Sequence, residues 1–344
     1  MLNDPHTSPL STVSRAFLED WLIALRSHCP PAQLAGFMDE TGLAPDAHPR
    51  ARVTHTQIVR LYQRVAIETG DEMMGLWSRP IRTGALKHLC ASMRGSSSLA
   101  AALFRFSGFW NLLLDDFTLQ LDRETATGRE ALRISIVPRG AQTPQRFGHM
   151  LLLKLVHGIG SWLTGRELPL LEVGFAFPRP DFAEDYPILF PAPVRFGQTN
   201  SAITLDAALE DLPVSRNDAE MAAFLRNAPE GWIFTRSQNH ALSLRLRGLL
   251  LRPDGLADQL EDVAATFGQT PRTLIRRLAL EETSFQAIKD GLRRDLAIRD
   301  LTSGKSIDDT AQDIGFASTA NFHRAFKRWT GVTPAAYRRG AGRA

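Results

Sequence analysis

The sequence predicts an α+β N-terminal domain with a small sheet, followed by an all-α domain with two helix-turn-helix units joined by a connector helix. Apolar residues in the first half change repeatedly between helical and alternating spacing, whereas the C-terminal part shows helical spacing only. A helix–glycine–helix pattern occurs twice there, at a spacing of about fifty residues. We place the N-terminal domain at residues 1–225, a linker at 226–238 and the C-terminal domain at 239–344.

Length and composition indicate a folded protein with two domains or one large domain. The chain has 344 residues, of which 44% are hydrophobic and 22% charged, as in ordinary globular proteins. Cys29 and Cys90 are the two cysteines, so no disulfide framework is implied. The N-terminus has no signal-peptide pattern, and the apolar stretch from Met150 to Leu163 is too short to span a bilayer. We expect a cytoplasmic protein with reduced thiols and no membrane partner.

Helices are predicted in the first half where apolar residues recur at helical spacing and a glycine or proline ends the pattern. Residues 1 to about 14 are polar, and we expect them to be loose. The predicted helices lie near Phe17 to Leu25, Ala32 to Thr41, Thr56 to Thr69, Leu86 to Met93, Leu99 to Trp110, Gln145 to Leu163 and Ala219 to Arg226.

Strands are predicted where apolar and polar residues alternate between turn-forming residues. These segments are Phe117 to Asp122, Leu132 to Val137, Leu170 to Phe177, Val194 to Phe196 and Ala202 to Leu205. We expect a sheet that is antiparallel at least in part, with its strand order open. The proline-rich connection from Phe177 to Phe196 is predicted to be irregular, and we expect it to form one rim of a small-molecule pocket.

The second helix-turn-helix unit lies between Ser306 and Arg339. Gly315 follows a helix with one apolar face, where a left-handed residue ends a helix. The Ser318 hydroxyl can cap the next helix. That helix has Phe322, Phe326 and Trp329 on its inner side and Ala320, His323, Arg324, Lys327 and Arg328 on its other sides. An apolar inner side with basic outer sides suits the major groove of DNA and its flanking phosphates.

Gln259 to Leu278 repeats this pattern. Gly268 aligns with Gly315, Thr270 is the predicted cap, and proline at the next position starts the second helix. Between the two units, Ser284 to Leu301 is predicted to be a helix of about 27 Å. Adjacent major-groove faces are about 34 Å apart, so a rigid connector of this length can hold two recognition helices on one side of a duplex.

Positive charge is concentrated at the C-terminal end. From Leu251 to Ala344 there are fifteen Lys and Arg against twelve Asp and Glu, whereas the rest of the chain has 25 of each. After Asp313 there are six basic and no acidic residues. This placement favours a polyanionic partner for the helix-turn-helix end.

The segment from Ala241 to Arg339 resembles the AraC/XylS-type transcription regulators. The matching motifs are T-P-R-T-L-I-R-R-L, E-E-T-S-F-Q, D-I-G-F and F-H-R-A-F-K-R-W-T-G-V-T-P-A-A-Y-R. The resemblance implies that bases are read from Arg272, Ile275 and Arg276 in the first unit and from Thr319, Ala320, Asn321, His323 and Arg324 in the second. Ile275 and Ala320 can only make apolar contact with a thymine methyl group. We expect Arg277, Lys327 and Arg328 to contact phosphates.

The first half resembles the arabinose-binding-type N-terminal domain found in one branch of these regulators. The matching segments are E-T-G-D-E-M-M-G-L near Glu68, G-R-E-L-P-L at Gly165, F-P-R-P at Phe177 and F-G-Q-T-N-S-A-I-T-L at Phe196. The resemblance implies effector sensing or dimerisation. The expected partners are double-stranded DNA, a second copy of the chain and a small-molecule effector, with RNA polymerase as a further candidate. The effector, the operator and the choice between activation and repression stay open.

Enzyme motifs are absent from the sequence. The run from Gly95 to Ser98 lacks the last glycine of a nucleophile elbow. The pair Gly158 and Gly160 lacks the rest of a dinucleotide fingerprint, so close helix packing explains it better. His149 and His157 are about 12 Å apart along one predicted helix, too far to share a metal ion. We predict no enzyme activity, catalytic residue, cofactor or metal site.

Two other classes of function are weighed against a regulator. The first half could be an enzyme or small-molecule-binding domain that uses DNA binding only for localisation, and catalytic motifs would distinguish it. A purely structural partner-binding protein is the other class. Two basic, recognition-like helices held by a connector argue against that class.

Overall fold

The computed structural model describes residues 12–43, 52–126, 128–140, 145–190, 192–233, 242–252, 255–281 and 283–341. Internal contacts divide the chain into two compact units. The first, here called the helical unit, contains the described residues among 1–17, 35–58 and 238–344. The second, the sheet unit, contains those among 18–34 and 59–237. Two N-terminal segments therefore belong with the C-terminal helices, while the proposed domain limits at 225 and 239 remain a prediction.

The elements follow the sequence periods closely. The helices are α1 (Arg15–His28), α2 (Pro31–Glu40), α3 (His55–Thr69), α4 (Ala85–Arg94), α5 (Leu99–Leu113), α6 (Arg146–Thr164), α7 (Tyr186–Leu189), α8 (Asp218–Arg226), α9 (Glu230–Ile233), α10 (Leu242–Leu250), α11 (Leu260–Thr266), α12 (Pro271–Leu280), α13 (Phe285–Thr302), α14 (Ile307–Asp313), α15 (Thr319–Thr330) and α16 (Pro334–Ala341). The strands are β1 (Thr12–Ser14), β2 (Arg52–Thr54), β3 (Phe117–Ala126), β4 (Arg129–Pro138), β5 (Leu170–Gly174), β6 (Val194–Arg195) and β7 (Ser201–Asp206). None of the helices among the described residues has the length and apolar character that crossing a membrane requires.

The sheet unit contains one five-stranded sheet in the order β3-β4-β7-β5-β6. β3 pairs antiparallel with β4 over the whole hairpin, β4 and β5 both pair antiparallel with β7, and β5 pairs parallel with β6. The expectation of a partly antiparallel sheet is confirmed. β5 is shorter than predicted because the chain leaves the sheet after Gly174, and Phe175 and Phe177 enter an aromatic cluster instead.

Helix α6 is the buried centre of the sheet unit. Fifteen of its residues are buried. A Cβ added at Gly158 would lie 2.5 Å from the Trp232 backbone oxygen, and one at Gly160 would lie 2.9 Å from a methyl group of Leu168. Both glycines therefore permit close packing, as the sequence predicted, because any side chain there would overlap its neighbour.

The proline-rich connection is packed rather than open. Phe175 stacks on Phe177 at 4.9 Å, and Tyr186 meets both Phe175 and Phe196 edge to face at 4.9 and 5.3 Å. Phe190 is also buried against Phe175. These rings make the connection part of a core. It contributes no lining residue to the cavity described below, so its role as a pocket rim stays a prediction.

The helical unit has two apolar clusters that meet along α13. One is built from α10, α11, α12 and the start of α13, and the other from the end of α13 with α14 and α15. Leu256 and Leu296 pack against both clusters. The predicted connector helix thus forms a continuous spine, and each helix-turn-helix unit packs on one end of it.

A two-stranded antiparallel ribbon, formed by β1 and β2, also belongs to the helical unit. Thr12 and Arg52 are 2% and 5% exposed. The expectation that the N-terminus is loose to about residue 14 is therefore wrong for Thr12–Ser14. Thr12 is held in place because its hydroxyl is hydrogen-bonded to the buried side chains of Asp295 and Arg52, an arrangement that local polarity does not reveal.

Candidate nucleic-acid interface

The two helix-turn-helix units have the same turn geometry. Gly268 and Gly315 have φ of +62° and +79°. In each turn the residue after the glycine donates its N–H to an alanine carbonyl, Gln269 to Ala264 and Phe316 to Ala311, both at 2.9 Å. This is the hydrogen bond that closes a helix on a left-handed glycine. The predicted alignment of the two glycines is confirmed.

The second helix of each unit begins at its predicted cap. The Thr270 hydroxyl accepts from the N–H of Thr273 at 3.2 Å, and the Ser318 hydroxyl accepts from the N–H of Asn321 at 3.3 Å. The cap follows the glycine by two residues in the first turn and by three in the second. Such caps satisfy N–H groups that have no partner inside the helix, so they fix where α12 and α15 start.

Both helices bury one side and expose the other. Leu274 and Leu278 of α12 and Phe322 and Phe326 of α15 are fully buried. The exposed residues on α12 include Arg272, Ile275, Arg276 and Arg277, and those on α15 include Ala320, Asn321, Arg324, Lys327 and Arg328, while Thr319 and His323 are half-buried. All eleven predicted contact residues thus lie on the accessible sides of the two helices.

Most of the basic side chains that are predicted to contact DNA do not form ion pairs with nearby acidic residues among the described residues. Among the described residues, no carboxylate forms an ion pair with Arg272, Arg276, Arg277, Arg324 or Lys327. Glu281, the acidic residue at the end of α12, does not pair with these arginines. It accepts hydrogen bonds from the backbone N–H groups of Leu242 and Ser243, at 2.8 and 2.9 Å, and caps α10. Asp313 pairs with Lys305.

Three of the predicted DNA-contacting side chains on α15 bind other side chains of the same unit. Arg328 pairs with Asp290 at 3.6 Å while its side chain remains 68% exposed. Arg324 Nη2 donates to Asn321 Oδ1 at 2.5 Å. The Thr319 hydroxyl donates to Asp308 at 2.6 Å. The hydrogen bonds of Arg324 and Thr319 are both exposed, and exposed polar contacts of this kind contribute little to stability.

The connector helix is tied to both units by side chains that sequence reasoning did not single out. Lys289 Nζ donates to the Asp258 backbone oxygen at 2.8 Å. Arg293 Nε donates to the Ile314 backbone oxygen at 3.1 Å, and its guanidinium group lies 5.5 Å above the ring of Phe316. These contacts tie both helix-turn-helix units to α13.

The buried carboxylate of Asp295 is the electrostatic centre of the helical unit. Asp295 has no exposed side-chain surface and accepts from Arg247 at 2.6 Å, from Arg294 at 3.3 Å and from the Thr12 hydroxyl at 2.5 Å. Arg52 Nε donates to the same Thr12 hydroxyl at 3.0 Å. Burial alone would raise the pKa of Asp295, but Arg294, Arg247, Arg52 and the Thr12 hydrogen bond together lower it.

Two further groups complete this cluster. Burial lowers the pKa of His55 to about 3, with the charge of Asp295 opposing this shift and that of Arg247 adding to it. The Tyr337 hydroxyl donates to the Arg52 backbone oxygen at 3.1 Å and joins α16 to the ribbon. The sequence offered no signal for this cluster, because Thr12 and Asp295 are separated by 283 positions.

Both halves of the chain match models of known protein families. Residues 32–214 match the model described as "Arabinose-binding domain of AraC transcription regulator, N-term". Residues 263–340 match a helix-turn-helix domain model. The first match covers more than half of the chain, and the second contains both candidate recognition helices.

Similar proteins include transcription regulators from two bacteria. The ornithine utilization regulator of Pseudomonas aeruginosa is 26% identical over 293 residues, which cover 84% of this chain and 85% of that protein. VirS of Mycobacterium tuberculosis is 31% identical over 148 residues, 42% of this chain and 43% of that protein. The crystal structure of CdpR from Pseudomonas aeruginosa aligns over 94% of this chain and 98% of that chain, with 21% identity and a TM-score of 0.31. The family-model matches show that this chain belongs to the AraC-type transcription regulators with an arabinose-binding-type N-terminal domain.

Proposed function

We propose that this DNA-binding regulator reads base sequence with the exposed sides of α12 and α15. The observation that carries the proposal is the pair of capped helices, each with a buried apolar side and an exposed side bearing arginines that lack a carboxylate partner among the described residues. Arginine can bind guanine in a bidentate manner, and asparagine can bind adenine in the same way. Arg276 and Arg324 are therefore our candidates for guanine contacts and Asn321 for an adenine contact.

The remaining residues divide by chemistry. Arg272, Thr319 and His323 supply further hydrogen-bonding groups, whereas Ile275 and Ala320 supply apolar contact to a thymine methyl group. Arg277, Lys327 and Arg328 lie further along the helices, where a phosphate is the nearer DNA group. The hydrogen bond between Arg324 and Asn321 supports this division, because it holds both side chains on the exposed side of α15.

The test needs an operator first, found by selection of bound genomic fragments and footprinting. Arg324→Ala and Arg276→Ala should then each weaken binding to the operator by about 1–3 kcal/mol and relax the preference at one base pair. Lys327→Ala should weaken binding to all sequences alike and reduce the salt slope by about one unit.

Arg60→Ala is the matched control, since Arg60 is an exposed helical arginine of the sheet unit. It should leave affinity and base preference unchanged. Melting curves of each variant show whether the fold is intact. If Arg324→Ala keeps the full base-preference profile on a panel of single-base operator variants, the assignment of Arg324 to a base is wrong.

The proposal includes control by a small-molecule effector bound in the sheet unit, and it places the protein in the cytoplasm with its DNA. The N-terminal family match supports effector control. So does the connectivity, since α1 and α3 each begin in the helical unit and continue into the sheet unit. Operator affinity measured with and without candidate metabolites tests it. Contact with RNA polymerase is a further part of the proposal, tested by transcription from the operator in a purified system.

The homodimer is supported by one exposed surface. Helix α5 exposes Phe104 by 71% and Leu112 by 82%, and between them Gly108 has open space around it. Two antiparallel copies of α5 centred on Gly108 would set Phe104 against the partner's Leu112, a self-complementary contact of the kind that closes a two-fold dimer. Two copies on repeated half-sites would raise specificity.

Sedimentation of the full chain at micromolar concentration tests the dimer. Phe104→Glu or Leu112→Glu should shift the population to monomer, because a carboxylate would be buried without a partner. Ile67→Glu is the matched control, since Ile67 is 72% exposed on α3. A monomeric wild-type protein, with or without effector, would contradict the proposal.

A further inference from the structure

A cavity in the sheet unit lies where α1, α6, the β3–β4 hairpin and the loop before α4 meet. Its volume is about 280 Å³, just below the usual range for ligand sites of about 300–1,000 Å³. The lining residues are His28, Gly75, Leu76, Trp77, Ser78, Asp116, Phe117, Pro138, Gln145 and His149. This size suits a small metabolite.

We propose that this cavity binds a small organic molecule through a protonated amine. The inference deepens the proposed effector-sensing role and rests on it. One carboxylate, Asp116, lines the cavity, and the lining contains neither lysine nor arginine. A ligand with a positive charge would therefore meet an opposite charge there, whereas the carboxylate would repel an anionic ligand.

Asp116 is oriented without being neutralised. Its Oδ1 accepts from the backbone N–H of Ser78 at 3.0 Å, and its Oδ2 accepts from the Ser78 hydroxyl at 2.8 Å. Each carboxylate oxygen can accept a further hydrogen bond. Among the described residues Asp116 has no ion-pair partner, whereas its neighbour Asp115 pairs with Arg79 at 2.6 Å and with Arg139 at 3.8 Å.

The histidines of the lining also favour a ligand that donates hydrogen bonds. His28 Nδ1 lies 2.9 Å from the Ala24 backbone oxygen, so this nitrogen carries the hydrogen. In the neutral ring, Nε2 is then left as an acceptor. Burial lowers the pKa of His149 to about 4, so that ring adds no positive charge at neutral pH.

Aromatic rings complete the site. Trp77 and Phe117 meet edge to face at 4.7 Å, and Trp77 stacks with His149 at 6.0 Å. Their faces can attract a cation directly. Trp77 is 7% exposed.

The loop that carries Trp77 is held in place before any ligand arrives. Asp71 accepts from the N–H groups of Met73, Gly75 and Ile81 at 2.9, 2.7 and 2.8 Å. Gly75 has φ of +73°, and a Cβ there would lie 2.7 Å from the His28 ring. A wall built in this way loses little entropy on binding.

The experiment is a melting series on the full chain without DNA, so failure of the DNA-binding proposal does not affect it. The probes are n-butylamine, 1-butanol, butyrate and arabinose. At about five times its dissociation constant, n-butylamine should raise Tm by about 2–4 °C, with smaller effects of 1-butanol and butyrate at the same concentration. Asp116→Asn should weaken butylamine binding at least about 10-fold.

Asp115→Asn is the matched control and should keep the response, because Asp115 does not line the cavity. If Asp116→Asn fails to fold, a crystal of the wild-type chain soaked in n-butylamine should show its nitrogen within hydrogen-bond distance of Asp116. An equal response to butylamine and butanol would overturn the proposal. So would a response to arabinose alone, which would mark a polyol site, or loss of the amine response in Asp115→Asn but not in Asp116→Asn.

Discussion

Replacing the buried carboxylate of Asp295 is the most direct probe of how the helical unit is held together. Asp295→Asn keeps the size of the side chain but removes its charge. Arg247 and Arg294, with side chains 15% and 11% exposed, would then face a neutral amide. Removing one partner of a buried pair costs about 3–5 kcal/mol. For a unit of this size we expect Tm of the helical unit to fall by more than about 10 °C.

The assay is calorimetry of the full chain, in which the transition of the sheet unit serves as an internal reference. Asp313→Asn is the matched control, because Asp313 is 54% exposed in its pair with Lys305 and such pairs contribute about 0–1 kcal/mol. Thr12→Val should cost about 1–3 kcal/mol by removing one hydrogen bond to the buried carboxylate. That cost would show that the ribbon is part of the helical unit.

The pH dependence has a definite sign. The pKa of Asp295 is lowered in the folded protein, so its contribution is fully present above the unfolded value of about 3.9 and is lost as pH falls through the folded value. The difference between wild type and Asp295→Asn should therefore shrink below about pH 4. Equal stability of the Asp295→Asn and Asp313→Asn variants at pH 7, with no effect of Thr12→Val, would refute the reasoning.

Three further predictions follow from charge and packing. A fragment from about residue 235 to 344 should bind the operator more weakly than the whole chain, because it lacks Thr12, Arg52 and the second copy. Its affinity should fall steeply with salt, because phosphate contacts release counterions. Filter binding over a salt series checks this, and binding confined to residues 1–225 would contradict it. Burial lowers the pKa of Lys154 to about 7, so stability of the sheet unit should rise between pH 7 and pH 10, where the unfolded chain binds this proton and the folded chain does not. Lys154→Met should remove that slope in urea titrations, and an unchanged slope would show that another group is responsible. Gly158→Ala should lower the free energy of unfolding by at least about 1–3 kcal/mol, because the added methyl group would overlap Trp232. Gly36→Ala, in open space on α2, should leave it unchanged or raise it by up to about 1 kcal/mol. Thermal melts of both variants check this.

Local chemistry determined most of what the sequence predicted correctly. Helix ends depend on neighbouring residues, so Thr270, Ser318, Gly268 and Gly315 could be assigned before any contact was known. The buried and exposed sides of α12 and α15 follow from a period of 3.6 residues. The repeat of the same turn chemistry then identified the two helix-turn-helix units.

Contacts between distant segments were decided only by the tertiary structure. The ribbon residues Thr12 and Arg52 look like an ordinary polar terminus and loop, since nothing nearby in sequence marks their partner Asp295. The cavity was also not predictable from local sequence, because His28, Trp77 and Asp116 come from separate segments of the chain.

The sequence by itself therefore determined the family, the two helix-turn-helix units and the sides of α12 and α15 that face outward, because these depend on periodicity and on residues a few positions apart. The tertiary structure alone decided the strand order, the membership of the ribbon in the helical unit and the place of the cavity. Burial of charge and closure of a pocket depend on which segments meet in space, and residues far apart in the chain carry no local mark of that meeting.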